Sequence, residues 1–102
     1  MAILGQADLA ANTNTLVGTI PAPGATVNVL AVNRTANPIP YSLALVPYGG
    51  TIGNSSWIEY ATPLDGNQIL ERGGIPLSTG DMIYVKAAST GVSVTVVDAL
   101  GA

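Results

Sequence analysis

Thr15-Leu16-Val17-Gly18-Thr19-Ile20-Pro21-Ala22-Pro23-Gly24-Ala25-Thr26-Val27-Asn28-Val29-Leu30-Ala31-Val32-Asn33 reads as strand, turn, strand. Pro21-Ala22-Pro23-Gly24 is a strong turn signal between two β-branched runs. In the second run Val27, Val29 and Ala31 share one face, while Thr26, Asn28, Leu30 and Val32 share the other. A strand apolar on one face and half-apolar on the other is buried partly on both sides, so it belongs inside a sheet.

The same grammar continues outward. Strands are expected over Ile39–Val46, Ser56–Thr62, Gln68–Arg72, a brief Ile75–Leu77, Met82–Ala87 and Val92–Leu100. Pro40 places the start of its strand at an edge or a bend. Pro47–Asn54, with three glycines, reads as a flexible loop, and Gly73-Gly74 as a strand break. Seven or eight strands at intervals of about ten residues predict a single-domain antiparallel β-sandwich, immunoglobulin-like or jelly-roll-like, with a small barrel as competitor. Residues 1–14 show no clean period and read as an extended N-terminal arm, with the sandwich over 15–102. Asp8-Leu9-Ala10-Ala11 could instead form one helical turn.

The 102 residues support one modest core, able to bury roughly 65% of the unfolded surface. Hydrophobic residues make up 48% of the chain, within the globular range. Charged residues make up only 9%, against a usual value of about 25%. Thr, Asn, Ser, Gly and Ala must therefore cover the exterior, or other chains cover it. Neutral surfaces of this kind self-associate, which favours a homo-oligomer over a neutral monomer.

The net charge is −3, and Arg34, Arg72 and Lys86 are the three basic residues. Three scattered cations cannot form the basic stripe that nucleic acid requires. There is no cysteine, hence no disulfide and no thiolate metal site. No stretch reaches the roughly 18 apolar residues of a membrane span. The start Met1-Ala2-Ile3-Leu4-Gly5-Gln6 has no basic region and no long apolar run, so the chain is expected to be made and kept in a cytosol until it assembles.

Catalytic chemistry has little to draw on without histidine or cysteine. No Asp-x-Asp-x-Asp-Gly series forms a calcium loop, and Asp65-Gly66 and Gly80-Asp81 read as turns. A glycosidase pair such as Glu59 with Glu71 would need an inter-carboxyl distance of roughly 5 to 9.5 Å, and two isolated carboxylates in a small β domain are usually solvated. Gly49-Gly50-x-x-Gly53 lacks the Gly-Lys-Ser/Thr ending of a phosphate loop. Trp57 and Tyr60 could form a sugar-stacking platform, but they fall on opposite faces of one strand, which favours a core Trp with a rim Tyr. Asn33-Arg34-Thr35 and Asn54-Ser55-Ser56 match the glycosylation sequon and read as turns. No enzyme activity, cofactor, metal site or catalytic residue is expected.

Four segments carry a resemblance: Met1-Ala2-Ile3-Leu4-Gly5-Gln6 leading to Ala11-Asn12-Thr13-Asn14-Thr15-Leu16, Val27-Asn28-Val29-Leu30-Ala31-Val32-Asn33-Arg34, Trp57-Ile58-Glu59-Tyr60-Ala61-Thr62-Pro63-Leu64, and Leu77-Ser78-Thr79-Gly80-Asp81-Met82-Ile83-Tyr84-Val85. In these the chain resembles a family of small virion proteins of tailed bacteriophages. The family's Asn-x-Gly turn after the second strand is replaced here by Asn33-Arg34-Thr35-Ala36-Asn37-Pro38. The resemblance implies a virion structural protein on the capsid surface, a cement (decoration) protein bound to the major capsid protein and to copies of itself as a dimer or trimer. A tail or neck component and a carbohydrate-binding module of a tail fibre are the alternatives. Expected partner contacts are Ala2, Ile3, Leu4 and Leu9 of the arm, Tyr48, Gly49, Gly50 and Ile52 of the loop, and Trp57, which also serves as a core anchor.

Overall fold

The computed structural model describes residues 3–99. Eight strands follow in chain order: β1 (Ile3–Asp8), β2 (Thr15–Thr19), β3 (Ala25–Asn33), β4 (Ile39–Val46), β5 (Trp57–Leu64), β6 (Ile69–Leu77), β7 (Met82–Ala87) and β8 (Val92–Asp98). A single 3-10 turn at Asn54–Ser56 precedes β5. Among these residues no helix is long and apolar enough to cross a membrane.

The strands form two antiparallel four-stranded sheets, ordered β1-β8-β3-β6 and β2-β7-β4-β5. Strand β1 pairs with β8, β2 with β7, β3 with β6 and β4 with β5. The chain is thus one long hairpin, β1–β4 running against β5–β8, rolled so that β3 also meets β8 and β4 meets β7. This is the jelly-roll order, which decides between the two sandwich topologies the sequence allowed. Between the sheets lie Val27, Val29 and Ala31 of β3, Tyr41 and Leu43 of β4, Ile83, Val85 and Ala87 of β7, and Val92, Val94 and Val96 of β8. Each fully buried Val or Leu contributes about 1.5–3 kcal/mol.

The leading segment is not a free arm. Strand β1 pairs with β8 from Ile3↔Val97 to Asp8↔Ser93. The Leu9 N–H donates to the Val92 carbonyl at 2.9 Å, the Asn12 N–H to the Ala87 carbonyl at 2.8 Å, and Leu9 is 2% exposed within the core. Gly5 makes this possible. A Cβ there would stand 1.7 Å from the Val17 carbonyl oxygen, so only glycine lets β1 cross beside β2 and close that side of the sandwich. At Gly5 the small residue that suggests an arm is what close approach demands.

Four further expectations change. Gly73-Gly74 does not break a strand: β6 runs through it as a bulge, with Gly74 at φ +69 and its N–H donated to Asn28 Oδ1 at 3.0 Å. Strand β5 extends past Thr62 to Leu64. Strand β4 is an inner strand, and Pro40 stands opposite Pro63 beyond the end of β7, where no ladder donor is missed. The Pro47–Asn54 loop is anchored: Gly50 N–H meets the Pro47 carbonyl at 2.9 Å, and Tyr48 N–H meets Asp81 Oδ1 at 3.3 Å.

Candidate functional site

The outer face of the β2-β7-β4-β5 sheet carries the chain's aromatic character. Leu16 pairs with Tyr84, Tyr84 with Ala44, and Ala44 with Trp57, so one row crosses all four strands. Val17, Ile83, Val85 and Leu43 point the other way, into the core. Ala44 and Val46 are 0% and 1% exposed although they lie outside the core cluster. They are buried on the outer face, in register with Tyr84, Trp57 and Met82.

Two bulges in the β4–β5 pairing reshape the edge of this face. The first centres on Ala61, at φ +50, whose N–H donates to Ser42 Oγ at 2.9 Å. Alanine in the left-handed region costs about 1–2 kcal/mol, and the Ser42 hydroxyl satisfies the displaced donor. Because the second bulge, at Ile58 between the Ala44–Trp57 and Leu43–Glu59 pairs, resets the two-residue alternation, Trp57 and Tyr60 meet edge to face, ring centroids 5.6 Å apart at 68°. This corrects the expectation that they face apart with Trp57 as a core anchor: Trp57 is half-buried and outside the core cluster.

Beside Tyr60 lies a cleft of about 170 Å³ bounded by Asn12, Pro40, Ser42, Ala61 and Lys86. Asn12 is at φ +54, so two of the three non-glycine residues with positive φ among the described residues meet here. The salt bridges among the described residues, Arg34–Asp8 at 2.6 Å and Arg72–Glu59 at 3.0 Å, use the other two cations, and Lys86 joins neither.

Glu59, 8% exposed, ties the sheets together on the opposite, open side. Arg72 of β6 reaches across to it with Nη2–Oε1 at 3.1 Å and Nε–Oε2 at 3.0 Å, and the Tyr41 hydroxyl donates to Oε2. Burial pushes the Glu59 carboxyl up, but hydrogen bonds from Arg72 and Tyr41, with the Arg72 charge, outweigh it and hold the carboxyl below its ordinary value. Burial, then the adjacent carboxylate, pushes the Tyr41 hydroxyl up. Both Glu59 oxygens are engaged structurally, and Glu71 is an exposed residue paired with Leu30. Asn33 is 0% exposed with its amide fully used: Nδ2 donates to the Asn37 and Leu64 carbonyls at 2.8 and 2.9 Å, and Oδ1 accepts from Thr35 N–H and Oγ1 at 2.9 and 2.7 Å. Among the described residues no group of His, Cys, Asp and Glu is placed to hold a metal ion.

The expected contact residues differ in exposure. Ala2 lies outside the described residues. Ile3 is exposed on β1, Leu4 packs partly against the core, and Leu9 is buried in it, a correction to its expected role in partner contact. Tyr48 is 81% exposed and Gly49 is exposed, whereas Gly50 and Ile52 are half-buried. Sequence reasoning missed Leu16, Ile58 and Ile69, large apolar residues exposed on their strands. Their signal was phase: Leu16 stands out of step with the inward Val17. No protein-family model matches this chain, and no curated protein matches it.

Proposed function

We propose that this chain is a structural protein of a tailed-bacteriophage particle, a capsid cement (decoration) protein that binds the major capsid protein lattice and copies of itself. The observation that carries this reading is where the exposed apolar side chains lie. Ile3, Leu16, Ile58, Tyr60 and Ile69 all sit on β1, β2, β5 or β6, the four edge strands, and Tyr48 tops the loop between β4 and β5. Unpaired edges rich in apolar residues are a liability for a free monomer and an asset for a subunit whose edges neighbours cover. Low charge supports the same reading, since two ion pairs consume four of the six acidic and three basic residues. So does fold-level analogy, because jelly rolls serve viral capsid domains as well as lectins.

The mechanism is mass action. A protein that binds only the assembled lattice stabilises it at every site, by about 2.7 kcal/mol when its free concentration is 100 times Kd. On this reading the chain is made in the host cytoplasm and resides on the capsid surface as a dimer or trimer. The test is quantitative mass spectrometry of purified particles, with co-sedimentation of the added chain on empty shells. Hundreds of copies per particle and saturable shell binding are expected. A handful to a few dozen copies, the number of a tail or neck part, or no shell binding, overturns the cement reading.

A further inference from the structure

We propose that the cleft beside Tyr60 binds a carboxylated pyranose, one uronic acid residue of an acidic surface glycan. Its volume of about 170 Å³ suits a single sugar ring and little more. Three kinds of group needed for such a ligand converge there. Tyr60 is exposed and braced edge-on by Trp57, which holds its ring as a platform for the C–H face of a pyranose. Asn12 supplies an amide able to donate to and accept from sugar hydroxyls. Lys86 supplies an ammonium outside both salt bridges, and no carboxylate lines the cleft, so the cation is available to an anionic ligand.

The backbone supplies an independent argument. Asn12 and Ala61 both hold left-handed conformations on the rim of this cleft. Strained residues persist where surrounding structure over-determines them, and they gather at ligand sites. Here the Ser42 hydroxyl pins one and the Ala87 carbonyl pins the other. The result is a preformed concavity on rigid strands, the kind of place where small ligands bind. The site shares Tyr60 with the exposed edge of β5, but it does not rest on the capsid reading, and free-chain binding of the glycoside tests it separately from shell binding.

The test is amide-resolved NMR titration of the full chain with methyl β-D-glucuronide, methyl β-D-glucoside and sodium acetate up to tens of millimolar. The glucuronide is expected to shift Asn12, Tyr60, Ala61 and Lys86 saturably, with Kd on the order of 1 mM, as suits so small a ligand. The glucoside and acetate are each expected to bind at least ~10-fold more weakly. Tyr60→Ala and Lys86→Met should each raise Kd about 10-fold while leaving the amide spectrum folded, and Lys86→Arg should retain binding. Absence of shifts at these four amides overturns the proposal. So does equal affinity for the neutral glycoside or for acetate, or undiminished binding by folded Lys86→Met.

Discussion

Glu59 and Asn33 show how single polar side chains carry a disproportionate share of this small fold. Glu59 is ionised in the native state and held below its ordinary value, whereas in the unfolded chain it titrates near pH 4.3. The unfolded state therefore binds the proton more readily. The stabilisation is fully present above about pH 5 and is lost as pH falls through the native value. Glu59→Gln is expected to cost about 1–3 kcal/mol at pH 7, less than a fully buried pair because Arg72 is half exposed. That deficit should shrink towards pH 3, as urea unfolding at the two pH values will register; a constant deficit would refute the assignment. Asn33→Ala strips partners from two carbonyls and one N–H and should cost about 2–4 kcal/mol, roughly 10–20 °C in Tm by calorimetry. Neither role was legible beforehand. Asn33 sits in a turn-like Asn-Arg-Thr string, and nothing local reveals that Leu64, far along the chain, offers its carbonyl.

Strands were legible in proportion to the regularity of their alternation. The spans Ala25–Asn33, Ile39–Val46 and Met82–Ala87 match those expected, because each alternates without interruption on its inward face. Strands β5 and β6 were misjudged where bulges at Ile58, Ala61 and Gly74 insert a residue and shift the phase beyond them. That is why Trp57 and Tyr60, three apart, meet when simple alternation sets them on opposite faces. Strand β1 was missed because Gly5, required for close approach, and Ala7 carry little apolar signal. Gly5→Ala tests this. With backbone at 1.7 Å the added methyl cannot be relieved by a side-chain rotation, so β1 must lift from β2. Hydrogen exchange of the β1 amides should rise sharply while β3 and β4 stay protected, with a loss of about 3 kcal/mol, the upper end for overpacking. Unchanged protection across β1 would remove glycine's part in the closure.

Taken together, the rolled hairpin buries one Val-rich core and leaves its four edge strands bearing the exposed apolar residues. If neighbouring copies cover those edges, Ile58→Lys with Ile69→Lys should convert the oligomer to monomer in sedimentation while changing stability by less than about 0.5 kcal/mol per site. An unaltered sedimentation coefficient would mean that these edges do not hold the subunits together. Composition and short-range alternation suffice to establish an all-β sandwich, its inward residues and its scarcity of charge, because burial of every second side chain is a local property of a strand. They do not establish that Ile3 faces Val97, that Arg72 reaches Glu59, or that Asn12, Tyr60 and Lys86 border one cleft. Those juxtapositions join residues far apart in the chain. They arise only when two sheets close on a shared core, with bulges and a single glycine setting the register in which they meet.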